Sequence, residues 1–350
     1  MVEIWFAILC AMFIGYAVLD GWNMGCGIVQ FFVARTPAER RLVIAAIGPL
    51  WTWHEVWLVG AGGVLFVAFP LVLAVALPGF YLAVFVLLWC ILGRGLALEF
   101  GGHLDDPMWR IFWDVAFSIV NILIALLLGT ALGNLVRGVP LGASGKFSLA
   151  FFTDFRAHGQ VGILDWYTVS VAGFTLVCLA AHGASYLVMR TEGRVHDRSF
   201  RLSRVLWPIV FVFLPLITMA TAAVRPELFA EMTQRPLAWI AVLVAASGAC
   251  AVLIGQRRRA ETAAFMGGCA FITGLLSAAA ASVYPVMLRS TLEPAYSITA
   301  DAGAVGDRGL FLALIWWPLA IVLSVAYAAS VLREFNGKVR IAEPSPHSNP

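Results

Sequence analysis

Six ionisable residues lie within or at the edges of apolar stretches of this sequence: Asp20, Glu55, Arg94, Glu99, Asp114 and His182. A charge inside a bilayer costs about 2.5–3.5 kcal/mol on insertion scales, so such residues are candidates for function by default. Carboxylates shielded from water can hold a proton and pass it on, and an arginine among them can balance their charge. The stretch "IGPLWTWHEVWL", Ile47–Leu58, adds His54 beside Glu55, between Trp51, Trp53 and Trp57. It has two readings. Thr52-x-x-Glu55 ahead of an apolar run is a capping box, in which each side chain accepts from the other residue's amide, and a carboxylate suits a helix N-terminus. The pair could instead form the mouth of a proton path. Spacing alone favours the cap.

The elements that must position these residues are membrane helices. The chain has 350 residues, 61% hydrophobic and 12% charged, with a mean hydropathy of +0.89; soluble domains average about 25% charged. Apolar runs long enough to span a bilayer recur throughout. The fold class is an all-α polytopic integral membrane protein. About nine helices are expected: Val2–Val33, Glu55–Leu77, Gly79–Phe100, Trp109–Val136, Gly162–Arg190, Arg204–Val224, Pro236–Gly255, Glu261–Met287 and Gly309–Arg333. "RTPAER" and "RRLVIAAI" add a short interfacial helix before Gly48-Pro49. Residues 1–136 form a first transmembrane bundle, 137–161 an outer loop, 162–333 a second bundle plus the final helix, and 334–350 a polar cytoplasmic tail. Its end, "AEPSPHSNP", is expected to be disordered.

The first segment lacks a basic start and a small-residue cleavage site, so it reads as a retained helix. A net charge of +3, spread between apolar segments, gives no reason to expect nucleic acid. The six cysteines are scattered without a C-x-x-C pair and read as small apolar groups. Trp5, Trp51, Trp53, Trp57, Trp109, Trp113, Trp166 and Trp207 lie near helix ends, as in an interfacial belt. Alternate loops carry 15 Lys and Arg on one side and 7 on the other, which puts the C-terminus in the cytoplasm and the N-terminus outside. The two longest loops, Gly133–Gln160 and Arg289–Arg308, lie on the outer side and suit ligand or partner contact.

In this topology Asp20, Glu55, Glu99 and Asp114 reach the same inner half of the membrane from four helices. Asp20, Asn23, Met24 and Gly27 share one face of the first helix. The bland alternative is that the acids pair with Arg94 or one another as helix glue. His54, His103 and His182 are each possible haem ligands, but no two form an obvious pair, and hydrogen bonding across helices is the commoner role. Gly60, Gly62 and Gly63 in "GAGG" suit close helix approach.

"LDGWNMGCGI", "ERR…IGPLWTWHEVWLVGAGGVLFVAFP" and "GFYL…RGLALEF" closely resemble subunit II of the cytochrome bd-type quinol oxidases. The resemblance continues through "WDVAF", "GNLVRGVPL", "HGASYL", "EPAYSIT" and "WWP…Y", from Leu19 to about Tyr327. It implies two four-helix bundles plus one extra helix, in a respiratory complex of the bacterial inner membrane. A separate subunit I carries the haems, oxidises quinol and reduces oxygen to water. Subunit II supports it without haem of its own, sometimes holds a quinone, and contributes to proton uptake from the cytoplasm. The family's Asp-Gly-Phe-Asp reads Asp20-Gly21-Trp22-Asn23 here. Its Trp-Asp-Gly-Asn-Glu reads Trp51-Thr52-Trp53-His54-Glu55, and "GGHL" replaces a basic residue after Glu99-Phe100.

The expectation is therefore a haem-free subunit II of a bd-type terminal oxidase, belonging to a divergent branch. Asp20, His54, Glu55, Glu99 and Asp114 are its proton-path candidates, and Asn23, Thr52, Arg94 and His182 its structural polar residues. Neither a catalytic residue nor a metal ligand is assigned. Subunit I, quinol at the level of the complex and membrane lipids are the expected partners. The rivals are a proton-coupled transporter and a purely structural subunit.

Overall fold

The computed structural model describes residues 1–156, 159–334 and 337–340. The expected disorder of "AEPSPHSNP" falls outside these residues. The elements in chain order are α1 (Val2–Val33), α2 (Pro37–Ile47), a 3-10 turn (Gly48–Leu50), α3 (Trp51–Ala68), α4 (Pro70–Gly79), α5 (Tyr81–Phe100) and α6 (Pro107–Arg137). Short strands β1 (Ala150–Phe152) and β2 (Gly162–Leu164) follow, then α7 (Trp166–Arg190), α8 (Gly193–Val224), α9 (Glu227–Thr233), α10 (Pro236–Arg258) and α11 (Glu261–Val283). The chain continues through β3 (Val286–Leu288), β4 (Ile298–Thr299), α12 (Ala300–Gly303) and α13 (Asp307–Glu334). Eight of these helices are long and apolar enough to cross a membrane, and α2 with α3, taken as one bent span, would make nine.

Local chemistry sets the helix starts. Thr36 and Glu39 form a capping box on α2, with Pro37 in the first turn. Asp106 accepts from the Trp109 amide to start α6, and Asp165 accepts from the Tyr167 and Thr168 amides to start α7. The capping box expected at Thr52 and Glu55 is absent. Leu50 and Trp51 are already helical, the chain enters α3 straight from the 3-10 turn, and no side chain caps it. The single helix expected over Glu55–Leu77 is two, because Phe69 precedes Pro70 and is driven out of the helical region. The Ala68 carbonyl left free at this break accepts from the Val305 amide at 2.9 Å.

α8 begins at Gly193 rather than Arg204. Its polar first turns are held by contacts, with Val195 and Ser199 buried and Arg198 paired to Glu39 at 2.8 Å. α11 ends at Val283, and β3 takes over after Tyr284-Pro285.

One group of packed helices consists of α1, α3, α5 and α6; the other consists of α7, α8, α10 and α11, with α13 lying against α3. α1 packs on α3, α6, α7 and α11, so the seam between the groups is itself a core. Helices approach most closely at Gly25 and Gly183, where a Cβ on Gly25 would sit 2.7 Å from the Gly183 Cα. The "GAGG" stretch does not supply this: Gly62 and Gly63 face open space, and only Gly60 meets a neighbour, Met12.

The tryptophan belt also needs correction. Trp5 and Trp207 are fully buried; Trp5 donates to the Leu310 carbonyl at 3.1 Å and Trp207 to Ser185 Oγ at 2.9 Å. The two long loops join through Val139, whose amide donates to the Arg289 carbonyl and whose carbonyl accepts from Thr291, both at 2.9 Å. Beneath them, Arg137 at the end of α6 pairs with Asp165 at the start of α7.

Candidate functional site

The face of α1 that carries Asp20 and Asn23 extends further than those two residues. Tyr16, Asp20, Asn23, Gly27 and Gln30 recur at alternating steps of four and three, all buried. At 1.5 Å per residue the stripe is about 21 Å long. Asp20, with no exposed surface, lies 2.7 Å from Nη1 of Arg94, which α5 supplies. Nη2 of Arg94 donates to Glu55 Oε1 at 2.6 Å. Three helices thus place two carboxylates on one buried guanidinium, and Glu55 keeps 20% side-chain exposure. The pairing of acids with Arg94 expected from the sequence holds for Asp20 and Glu55.

Asn23 links this cluster to His54. Its Nδ2 donates to Asp20 Oδ1 at 3.1 Å and contacts His54 Nδ1 at 2.6 Å. With the amide in this orientation Nδ1 accepts, which would place the proton of a neutral imidazole on Nε2. Nε2 is buried without a hydrogen-bond partner, as are Asn23 Oδ1 and Arg94 Nε. His54 meets the ring of Trp22 edge-on at 4.9 Å and packs on Trp53 at 5.5 Å. Buried polar groups are nearly always satisfied, so these atoms make the cluster a candidate site.

The other candidates separate from the cluster. Asp114 belongs to a second group nearer the Val33 end, where it accepts from Arg40 Nε at 2.5 Å and from Gln30 Nε2 at 3.4 Å. Between the two groups, the buried Ser118 and Asn121 on α6 continue the polar surface, with Asn121 set against Gly27. Glu99 is exposed and does not join Asp20 or Glu55; its carbonyl accepts from exposed His103 at 2.7 Å. Thr52 is exposed too, outside the cluster it was expected to flank. His182 crosses helices as expected, donating from Nε2 to the Val18 carbonyl at 3.2 Å and stacking flat on Phe265 at 5.2 Å.

Tyr16, Gln30 and Arg40 were not singled out from the sequence. Tyr16 and Gln30 had a readable signal, since they extend the Asp20–Gly27 face by one step each way. Arg40 stands in the motif "ERR", but nothing local ties it to its partner, which is far away in the chain.

The cluster brings two carboxylates to one guanidinium. It therefore holds one more carboxylate than guanidinium, and Arg94 would keep a charged partner whichever of the two acids were neutral. Among the described residues, no group of three or more His, Cys, Asp or Glu is placed to hold a metal ion.

Comparison with known proteins agrees over the whole length. The family described as cytochrome bd terminal oxidase subunit II matches residues 1–335. The chain is 29% identical over 313 residues to the cytochrome bd ubiquinol oxidase subunit 2 of Bacillus subtilis, covering 88% of each. It is 33% identical over 202 residues to the cytochrome bd-I ubiquinol oxidase subunit 2 of Escherichia coli, covering 58% of this chain and 52% of that one. The solved bd oxidase structure from Geobacillus thermodenitrificans matches its fold with a TM-score of 0.72 and 16% identity, over 95% of this chain and 98% of the other. With its helical architecture and nearly all of its length matched, this chain belongs to the cytochrome bd terminal oxidase subunit II family.

Proposed function

We propose that this chain is a haem-free second subunit of a bd-type terminal oxidase and that it carries protons through the Asp20–Arg94–Glu55 cluster to a haem-bearing partner. The complex would oxidise quinol and reduce oxygen, in line with the ubiquinol oxidases named among the relatives. It would sit in the bacterial inner membrane with the N-terminus outside. The excess of Lys and Arg on the Val33 side supports that orientation.

Protons would enter from the cytoplasm at the Arg40–Asp114 pair, follow the α1 stripe past Gln30 and reach Asn23, His54 and Asp20. The observation that carries this reading is the excess carboxylate, on a guanidinium with 1% exposure.

Haem fits the partner better than this chain. His182 lies flat on Phe265, and its Nδ1 sits 3.1 Å from where a Cβ on Gly268 would be. His54 is packed against Trp22 and Trp53. Neither imidazole is free to turn toward an iron without moving these rings.

The test is oxygen consumption per haem in assembled complexes carrying Asp20→Asn or Glu55→Gln. A positioned proton donor contributes about 10²–10⁴-fold, so at least the lower figure should be lost while haem content stays normal. Full turnover in both variants would leave the cluster a structural one.

A further inference from the structure

At the opposite end of the molecule from the Arg40–Asp114 pair, the ends of α6 and α8 and the start of α7 surround a cavity of about 320 Å³. Its walls include Arg137, Arg156, Arg289 and Thr291, with Asp165 paired to Arg137, on the polar side and Ala223 and Val224 on the apolar side. The surrounding charges are unequal. Among the described residues, five arginines (137, 156, 225, 235 and 289) share four carboxylates, those of Asp154, Asp165, Glu227 and Glu231.

The shortfall falls on Arg225, directly after the wall residue Val224. It is 2% exposed, yet its nearest carboxylate oxygens are 3.8 and 3.9 Å away, against about 2.7–2.9 Å for a charge-assisted hydrogen bond. Its Nε is buried without a hydrogen bond, and Glu227 already accepts from Arg289. Burial, and then the charge of Arg289, pull the Arg225 guanidinium below the usual arginine range. The positive field is therefore incompletely balanced next to an open, polar-walled space.

We propose that this cavity binds the phosphate of an anionic phospholipid headgroup. The cavity lies at the ends of three membrane helices, where headgroups lie. Its apolar wall, Ala223 and Val224, belongs to the end of a spanning helix and suits the upper part of an acyl chain. A phosphodiester offers oxygens that two guanidinium groups can share, and one negative charge equals the local excess.

The test uses the full chain with the subunits that co-purify, stripped of lipid in mild detergent and read by native mass spectrometry. The probes are phosphatidylglycerol, phosphatidylcholine and inorganic phosphate. Phosphatidylglycerol should be retained in preference to phosphatidylcholine. Arg156→Gln, which removes an exposed side chain, should weaken that retention by about tenfold, the equivalent of one charge-assisted hydrogen bond. Arg289→Gln should weaken it further, with its folding checked by the melting temperature because Arg289 also holds the Arg137 carbonyl. Equal retention of the two lipids, or unchanged retention in Arg156→Gln, would overturn the proposal. So would displacement by millimolar inorganic phosphate, which would make the ligand a free anion.

Discussion

Two buried arginines sit in different parts of this molecule, Arg137 at a helix end and Arg94 within a helix, and they are used differently. Arg137 donates to the Gly138 carbonyl at 3.2 Å, to Asn134 Oδ1 at 2.6 Å and to the Gly162 carbonyl at 3.1 Å. Its ion-pair partner, Asp165, also accepts the Tyr167 and Thr168 amides. That arginine closes one helix and helps to open another. Arg94 is more deeply buried and donates to no backbone carbonyl among the described residues; it faces two carboxylates, with unmet polar atoms around it. Burial of charge is common to both. The difference lies in the partners: Arg137 donates to two backbone carbonyls and a side-chain amide, whereas Arg94 is shared by two carboxylates.

The sharpest way to break this contrast is Arg94→Ala. It strands two carboxylates in a dry core, and removing one partner of a buried pair costs about 3–5 kcal/mol. Little assembled protein should be recovered, as read by yield and thermal unfolding. Wild-type recovery would mean that Asp20 and Glu55 do not depend on Arg94. Asp165→Ala should cost less. It removes an N-cap worth about 1 kcal/mol and one partner of Arg137, whose three other acceptors remain. The melting temperature should fall, while oxygen consumption per assembled complex stays unchanged. A turnover defect there would erase the distinction between the two arginines.

A smaller effect tests the link between Asn23 and His54. A double-mutant cycle with Asn23→Ala and His54→Ala should give a coupling of about 1 kcal/mol, that of one buried hydrogen bond. Additive effects would show that the 2.6 Å contact does not bind the two residues energetically. The smallest test compares two threonines in the same Thr-x-x-Glu pattern. Thr36→Ala should destabilise by about 1 kcal/mol. Thr52→Ala should stay within about 0.5 kcal/mol, as surface changes do. Equal losses would restore a cap at Thr52.

That pair of threonines also shows where reading the sequence succeeded and where it failed. An N-cap residue has a non-helical backbone, and Thr36 has φ −111° and ψ 157°. Leu50 and Trp51, ahead of Thr52, are already helical, so no start remained for it to cap. Four residues cannot reveal what conformation precedes them. Nearly all the spanning helices were legible, because apolar length is a property of single segments.

The α1 face was legible for the same reason, and Gln30 could have been added by counting. Glu99 could have been set aside by counting too: it lies five residues after Arg94, about 140° around the helix. The contact between Asn23 and His54 was not legible. Both were noted as separate departures from the family's motifs, and only the packing of α1 against α3 makes them neighbours. Arg40 was hidden in the same way, since nothing local ties it to Asp114.

The break between α3 and α4 bears on how the chain is made. The Ala68 carbonyl freed at Pro70 finds its donor in Val305, and the Trp5 indole finds its acceptor in Leu310. Both partners lie near the start of the last spanning helix and leave the ribosome long after the first helices have entered the membrane. A backbone group unpaired in hydrocarbon costs several kcal/mol, so until then the carbonyl must borrow water or another donor. The earliest part of the chain to be synthesised is therefore among the last to be completed. A truncation before residue 305 would leave the N-terminal helices inserted but unfinished, exposed to membrane quality control.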